Sequence, residues 1–224
     1  MGQRAFHIIC YSCAVLMVGT LSTAQGAEPG HLLVGDFSAG NLNGWVEKSF
    51  SGKTNYRFVE TDTGTALEAN STNSASGLFR EMTIDLTKTP CLTWAWKVDN
   101  SLGGLDETSK AGDDYSARVY VVFSGGLFPW NTRTFSYVWS GSHAVGSSWP
   151  NAFSDNATTV AVQSGDDAAG RWVSQCRNVV EDYRRFVGGE IKQADAVAIM
   201  TDTDGSGRTA SAWYGDIRFT ASCG

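Results

Sequence analysis

Apolar and polar residues alternate in short runs along most of the chain, and the runs are rich in β-branched and aromatic side chains. Alternation at period two is the pattern of a strand with one face buried. It predicts strands over Tyr56–Thr61, Ala66–Asn70, Leu78–Leu86, Leu92–Asp99, Ala117–Phe123, Thr134–Trp139, Thr159–Ser164, Ala196–Asp202 and Ala212–Thr220. Segments rich in Ser, Thr, Asn and Gly separate them, which is the rhythm of an antiparallel sandwich or jelly roll. One segment changes period. Asn178 precedes Val179, Val180, Tyr183, Phe186 and Val187, an apolar stripe near helical spacing, with Glu181 placed for a cap and Gly188-Gly189 as a stop. The expected fold is mostly β: an antiparallel β-sandwich of jelly-roll type with one covering helix. No repeat, linker or composition break divides it.

Parity within each run sorts core from surface. Val119, Val121 and Phe123 oppose Arg118 and Tyr120; Val197 and Ile199 oppose Met200 and Asp202. Leu92, Trp94, Trp96 and Val98 oppose Lys97 and Asp99, while Trp213, Ile217 and Phe219 oppose Tyr214, Asp216 and Arg218. If these four strands share a sheet, Lys97, Asp99, Arg118, Tyr120, Asp202 and Tyr214 line one surface. Such a surface carries donors, carboxylates and flat rings, the chemistry that sugars use. An ordinary solvated outer face shows the same alternation.

The N-terminus adds a location. Arg4, the apolar stretch Ala5–Leu21 and small residues at Ser22 and Ala24 have the layout of a cleaved secretory signal over residues 1–24. His7, Ser12 and Gly19 interrupt the stretch, which is shorter than the roughly 20 apolar residues of a spanning helix. The expectation is a periplasmic or secreted domain over residues 25–224, with no integral membrane segment once the signal is removed. The leader carries one base and no acid, so its loss takes the net charge from −6 to one unit more negative. An acidic chain without a Lys/Arg cluster is poorly suited to nucleic acid. Cys91, Cys176 and Cys223 remain, enough for one disulfide and one thiol in an oxidising compartment. Three scattered cysteines do not read as zinc ligands.

Several strings resemble one bacterial family. "WAWKVDN" (Trp94–Asn100), "KAGDDYSARVYVVFSGGL" (Lys110–Leu127), "RNVVEDYRRFVG" (Arg177–Gly188), "AIMTDTDGSG" with "AWYGDIRF" (Ala198–Phe219) and the opening "VGDFSAGNLNGW" (Val34–Trp45) are similar to the domain of unknown function 3047. The resemblance spans nearly all of residues 25–224 and implies an exported bacterial β domain. It supplies no reaction. Cys91 and Cys176 depart from the residues it leads one to expect, which suggests a private disulfide between them. The Asp-Phe-Ser start and the closing Tyr-Gly-Asp-Ile also resemble galactose-binding-like jelly rolls among carbohydrate-binding modules. That wider resemblance implies a structural calcium near Asp36 and Asp216.

Local motifs offer further chemistry. Asp202-Thr-Asp204-Gly205-Ser206-Gly207 places oxygen ligands at alternate positions before a glycine, as a calcium loop does, with Asp202 and Asp204 as ligands. The helix-loop-helix version fails because residues 211 and 212 are Ser and Ala. A polar hairpin turn explains the same residues. Asp114 shares the parity of Arg118 and is expected to orient its guanidinium. Trp139 shares the parity of Phe135 and Tyr137, a core position, whereas Trp130 and Trp149, each beside a proline, are candidates for an exposed rim. No Ser, Cys or His shows a nucleophile setting.

The first reading is a module that binds a glycan or cell-envelope polysaccharide on the polar face, with calcium as a possible structural ion. On that reading Arg118→Ala abolishes binding at little cost in stability. The rival is a glycan-cleaving hydrolase or lyase on the same face, with Asp114 and Asp202 as catalytic carboxylates. A third is a structural envelope domain docking a protein partner.

Overall fold

The strands expected from the alternation all form, and they sort into two sheets packed face to face. The computed structural model describes residues 30–125 and 131–223, so the expected leader and Trp130 lie outside the described residues. A six-stranded sheet runs β11 (Val173–Asn178), β6 (Cys91–Val98), β13 (Thr209–Thr220), β4 (Gly64–Thr72) and β3 (Asn55–Thr61), with β1 (His31–Gly35) beside the last part of β13. A seven-stranded sheet runs β2 (Trp45–Ser51), β5 (Ala75–Asp85), β12 (Gln193–Asp202), β7 (Arg118–Phe123), β8 (Arg133–Ser140), β10 (Ser154–Ser164) and β9 (Ser148–Asn151). The pairing is antiparallel except between β8 and β10, which run parallel. The result is a jelly-roll sandwich. Among the described residues no helix is long and apolar enough to cross a membrane.

The inner faces interdigitate as the parity requires. Leu92, Trp94, Trp96 and Val98 of β6 face Val119, Val121 and Phe123 of β7 and Phe135, Tyr137 and Trp139 of β8 within one buried cluster. Trp139 is core, as expected. The one α-helix among the described residues, α1 (Val179–Phe186), begins at Asn178, whose side chain accepts from Glu181 N. It covers an end of the sandwich by setting Tyr183 and Phe186 edge-on to Phe135, while buried Asp182 accepts from Tyr137 Oη at 2.8 Å.

Two expectations about β13 change here. Its pairing with β6 slips between Tyr214 and Ile217, so Gly215 and Asp216 together face Ala95. This bulge reverses parity. Ala212 and Tyr214 point inward before it and Ile217 and Phe219 after it, which leaves Trp213 outside and Tyr214 in the core. Gly215 lies close to the neighbouring strand: a Cβ there would sit in ordinary contact, 3.5 Å from both the Cβ and the carbonyl oxygen of Ala95.

The disulfide also differs from the expected one. Cys176 pairs with Cys223, and Cys91 is a buried free thiol. In the β11–β6 register Cys176 lies opposite Thr93 and Asn178 opposite Cys91, so Cys91 and Cys176 are not cross-strand partners. The tail beyond β13 brings Cys223 over them, and the three sulfurs converge to within 4.8 Å of one another. Burial raises the pKa of the Cys91 thiol, which keeps thiolate scarce. Alkylation of the native protein is therefore expected to leave Cys91 unlabelled until denaturant is added. Peptide mapping that finds label on Cys176 or Cys223 would contradict the assignment.

Candidate functional site

The surface expected from parity is divided between the two sheets. Lys97 and Asp99 belong to β6 and the turn after it, on the outer side of the six-stranded sheet; Arg118, Tyr120 and Asp202 belong to β7 and β12 of the other. The six residues do not form one face. Alternation reports the inner or outer side of a strand but not which sheet holds it.

Arg118 and Asp202 are moreover buried. The connection from β6 to β7 folds over the outer face of the seven-stranded sheet, where Tyr115, Trp149, Val138 and Ala161 form a second buried cluster. Trp149 is thus covered rather than on a rim. Glu107 ties the connection down: its carboxylate accepts from Ser140 Oγ and Gly141 N, each at 2.6 Å, and lies 2.9 Å from His143 Nδ1. Its carbonyl takes the Tyr115 hydroxyl and the Trp149 indole N–H. Gly112 presses against this segment so closely that a Cβ would fall 2.2 Å from the carbonyl oxygen of Asp106.

Beneath the cover, Arg118 donates through Nε to Asp202 Oδ1 at 2.8 Å and through Nη2 to Asp202 Oδ2. It also reaches Asp113 Oδ2 at 3.3 Å and the Asp113 carbonyl, with its guanidinium 4.2 Å from the Tyr115 ring centre. Asp113, not Asp114, thus orients Arg118, because both aspartates precede β7 and strand parity does not reach them. Tyr214 meets this group through the core: its hydroxyl donates to Met200 O at 2.7 Å and accepts from Arg118 N at 3.3 Å, linking the two sheets. Burial pushes the Asp202 carboxyl up to about 7 against the pull of Arg118, and Asp114 and Asp113 add to the rise. Tyr120 stays half-buried nearby, its phenol pushed up to about 12 by burial.

Asp114 has another task. Its two oxygens accept from Gly205 N at 3.1 Å and Ser206 N at 2.6 Å, holding the turn after Asp202. Asp114, Asp202 and Asp204 each place an oxygen within 4.8 Å of the others. An all-carboxylate set fits a hard cation, and each of the three carboxylates has more acceptor capacity than its hydrogen bonds use. Among the described residues no such group includes Asp36 or Asp216. Asp216 is occupied by Ser38, which donates from N and Oγ at 2.8 and 2.9 Å, and by Arg218 Nη2 at 2.6 Å. As catalytic candidates, Asp114 and Asp202 are each 2 % exposed and committed to a turn and an ion pair.

The open site lies on the opposite side of the molecule. A groove of about 580 Å³ crosses the outer face of the six-stranded sheet. The bulge makes it: Ala95 and Gly215 form a low floor, and Trp172 lies over Gly215, with Cζ3 3.8 Å from where a Cβ would be. Thr93, Ser174, Gln175, Asp216 and Arg218 supply its polar lining. Lys97 stands beside it, with Nζ 4.3 Å from the ring centre of Trp213 and 5.7 Å from that of Trp172. Neither Trp172 nor β11 is signalled by alternation, since Trp172 follows a glycine-rich turn. The signal available for the groove was Gly215 between two strand segments, a mark of bulges and close backbone approach.

Fold and groove together define an all-β jelly-roll domain with an aromatic, polar depression on one sheet. The chain belongs to the family described as protein of unknown function (DUF3047), whose family model matches residues 43–218. No curated protein matches it. Among solved structures it is similar to the family 11 carbohydrate-binding module from Clostridium thermocellum in complex with a β-1,3-1,4-mixed-linked tetrasaccharide, at 13% identity and a TM-score of 0.48, covering 88% of this chain and 98% of that one. The family 30 carbohydrate-binding module of a cellulosomal cellulase of Clostridium thermocellum aligns at 12% identity and a TM-score of 0.40, over 80% of this chain and 93% of that one. The K2 cleaved adhesin domain of Lys-gingipain aligns at 10% identity and a TM-score of 0.43, over 85% and 99%. Likeness at this level carries no argument about what this chain binds.

Proposed function

We propose that this protein is an exported glycan-binding domain and that its binding site is the groove walled by Trp172. The observation that carries the reading is the groove itself: an open depression with an indole on one side and hydroxyl, amide, carboxylate and guanidinium groups around an apolar floor. Sugars present flat C–H faces and a periphery of hydroxyls, so an aromatic wall with a polar surround complements both. The Cys176–Cys223 disulfide suits an oxidising compartment and so supports export by the leader over residues 1–24. The test is binding of the mature protein to an array of neutral and acidic envelope glycans, with Trp172→Ala as the control. A blank array for the unsubstituted protein would sink the proposal.

A calcium ion held by Asp114, Asp202 and Asp204 is a second element of the reading, favoured by the convergence of those carboxylates. The ion would fasten the turn after β12 to the segment before β7. Arg118 already neutralises part of the charge, so a dissociation constant on the order of 1 mM is expected, as in weak extracellular modules. At about 5 mM calcium such a site stabilises by about 1 kcal/mol, which raises the melting temperature by about 2–4 °C. Asp204→Asn should remove the rise. A melting temperature indifferent to calcium would rule the ion out.

A further inference from the structure

We infer that the groove selects glycans bearing a carboxylate, such as hexuronates, and that Lys97 is the residue that reads the charge. The inference rests on the glycan-binding reading above and specifies its ligand.

Lys97 is held by rings alone. Its Nζ lies over Trp213 at 4.3 Å and toward Trp172 at 5.7 Å, and among the described residues no carboxylate pairs with it. Lys48, Lys53 and Lys88 each have an acidic partner, Glu81, Glu47 and Asp85. Asp99, two residues along on the same outer side, makes no ion pair with it, and Glu68, which faces Trp213 from β4, is taken by Arg57 at 2.5 Å and Asn70 at 2.9 Å. Two indole faces fix the ammonium beside the groove and strip part of its water without cancelling its charge. An anion from a ligand would complete its shell.

The rest of the groove favours the same sign. Its one carboxylate, Asp216, is already satisfied by Ser38 and Arg218. Arg218 donates to Asp216 through one nitrogen and keeps further N–H groups. Lys97 and Arg218 thus set two cations against the single carboxylate of the groove lining, Asp216. A ligand whose ring lies on Trp172 would have its substituents between these two cations.

The experiment is calorimetric titration of the mature protein with a panel of uronate oligosaccharides, each beside its methyl ester, and with neutral oligosaccharides. The ester keeps the shape and removes the charge. The free acid should bind about tenfold more tightly than its ester, and the gap should narrow at high salt. Lys97→Met should bring the acid to the level of the ester, with a much larger loss for the acid than for the ester. Equal binding of acid and ester, or an equal loss for both in Lys97→Met, overturns the inference while the glycan reading stands. Failure of every sugar, charged or neutral, overturns the glycan reading itself.

Discussion

Replacing Arg118 with alanine is expected to lower stability by about 3–5 kcal/mol, the cost of leaving a buried charge without its partner. For a domain of this size that is a fall in melting temperature of about 6–20 °C. Among the described residues the guanidinium is the one cation paired with Asp202 and Asp113, and its removal leaves both carboxylates without an ion-pair partner under the β6–β7 connection. The sign of the pH dependence follows. Burial and the neighbouring acids raise the Asp202 carboxyl above its unfolded value near 3.9, and removing Arg118 takes away the largest opposing influence. Between that unfolded value and the raised one the native state holds the extra proton, so stability falls as pH rises. The variant should melt lower at pH 8 than at pH 5. Replacing Arg118 and Asp202 together with apolar residues should recover part of the loss, because no lone charge is then buried. Thermal melts of the single and double variants at both pH values decide the matter. A single variant as stable as the parent would contradict the buried network, and it would restore Arg118 to a surface role.

Replacing Trp172 with alanine should weaken glycan binding by about 30-fold. A sugar ring covering roughly 80 Å² of indole removes that much apolar surface from water, worth about 2 kcal/mol at 25 cal/mol per Å², which is about 30-fold in Kd. Trp172→Phe retains a flat face and should keep most of the affinity. Trp172 is half-buried beside Gly215, so a melting curve must accompany the titration. Gly215→Ala supplies a second route to the same question. Its Cβ would sit on the groove floor in ordinary contact with Ala95 and Trp172, at 3.5 and 3.8 Å, and should weaken binding by filling space at the floor without deleting any contacting group. Unchanged affinity in a folded Trp172→Ala protein would exclude this groove as the site.

Much of the fold was legible because burial imposes period two on strands. The expected runs became β3, β4, β5, β6, β7, β8, β10, β12 and β13, and Asn178 and Gly188-Gly189 bound the helix as their chemistry requires. The family strings were legible for the same reason, since they follow those strands and turns. The site was less so. Lys97, Arg118 and Asp202 have matching parity, yet Lys97 lies in one sheet and Arg118 and Asp202 in the other, where both are covered by a connection whose anchor, Glu107, lies in an irregular segment with no periodicity.

The sequence by itself determined which residues face the core in the strands without a bulge, where the helix starts and stops, and that Asp202 and Asp204 sit at the turn after β12. These are local consequences of backbone geometry and side-chain chemistry. The tertiary structure alone decided which sheet each strand joins, the bulge at Gly215–Asp216 that turns Tyr214 inward and Trp213 outward, the Cys176–Cys223 pair, and the groove beneath Trp172. Each of these depends on contacts between distant segments. A strand's own alternation is the same whichever neighbour it pairs with.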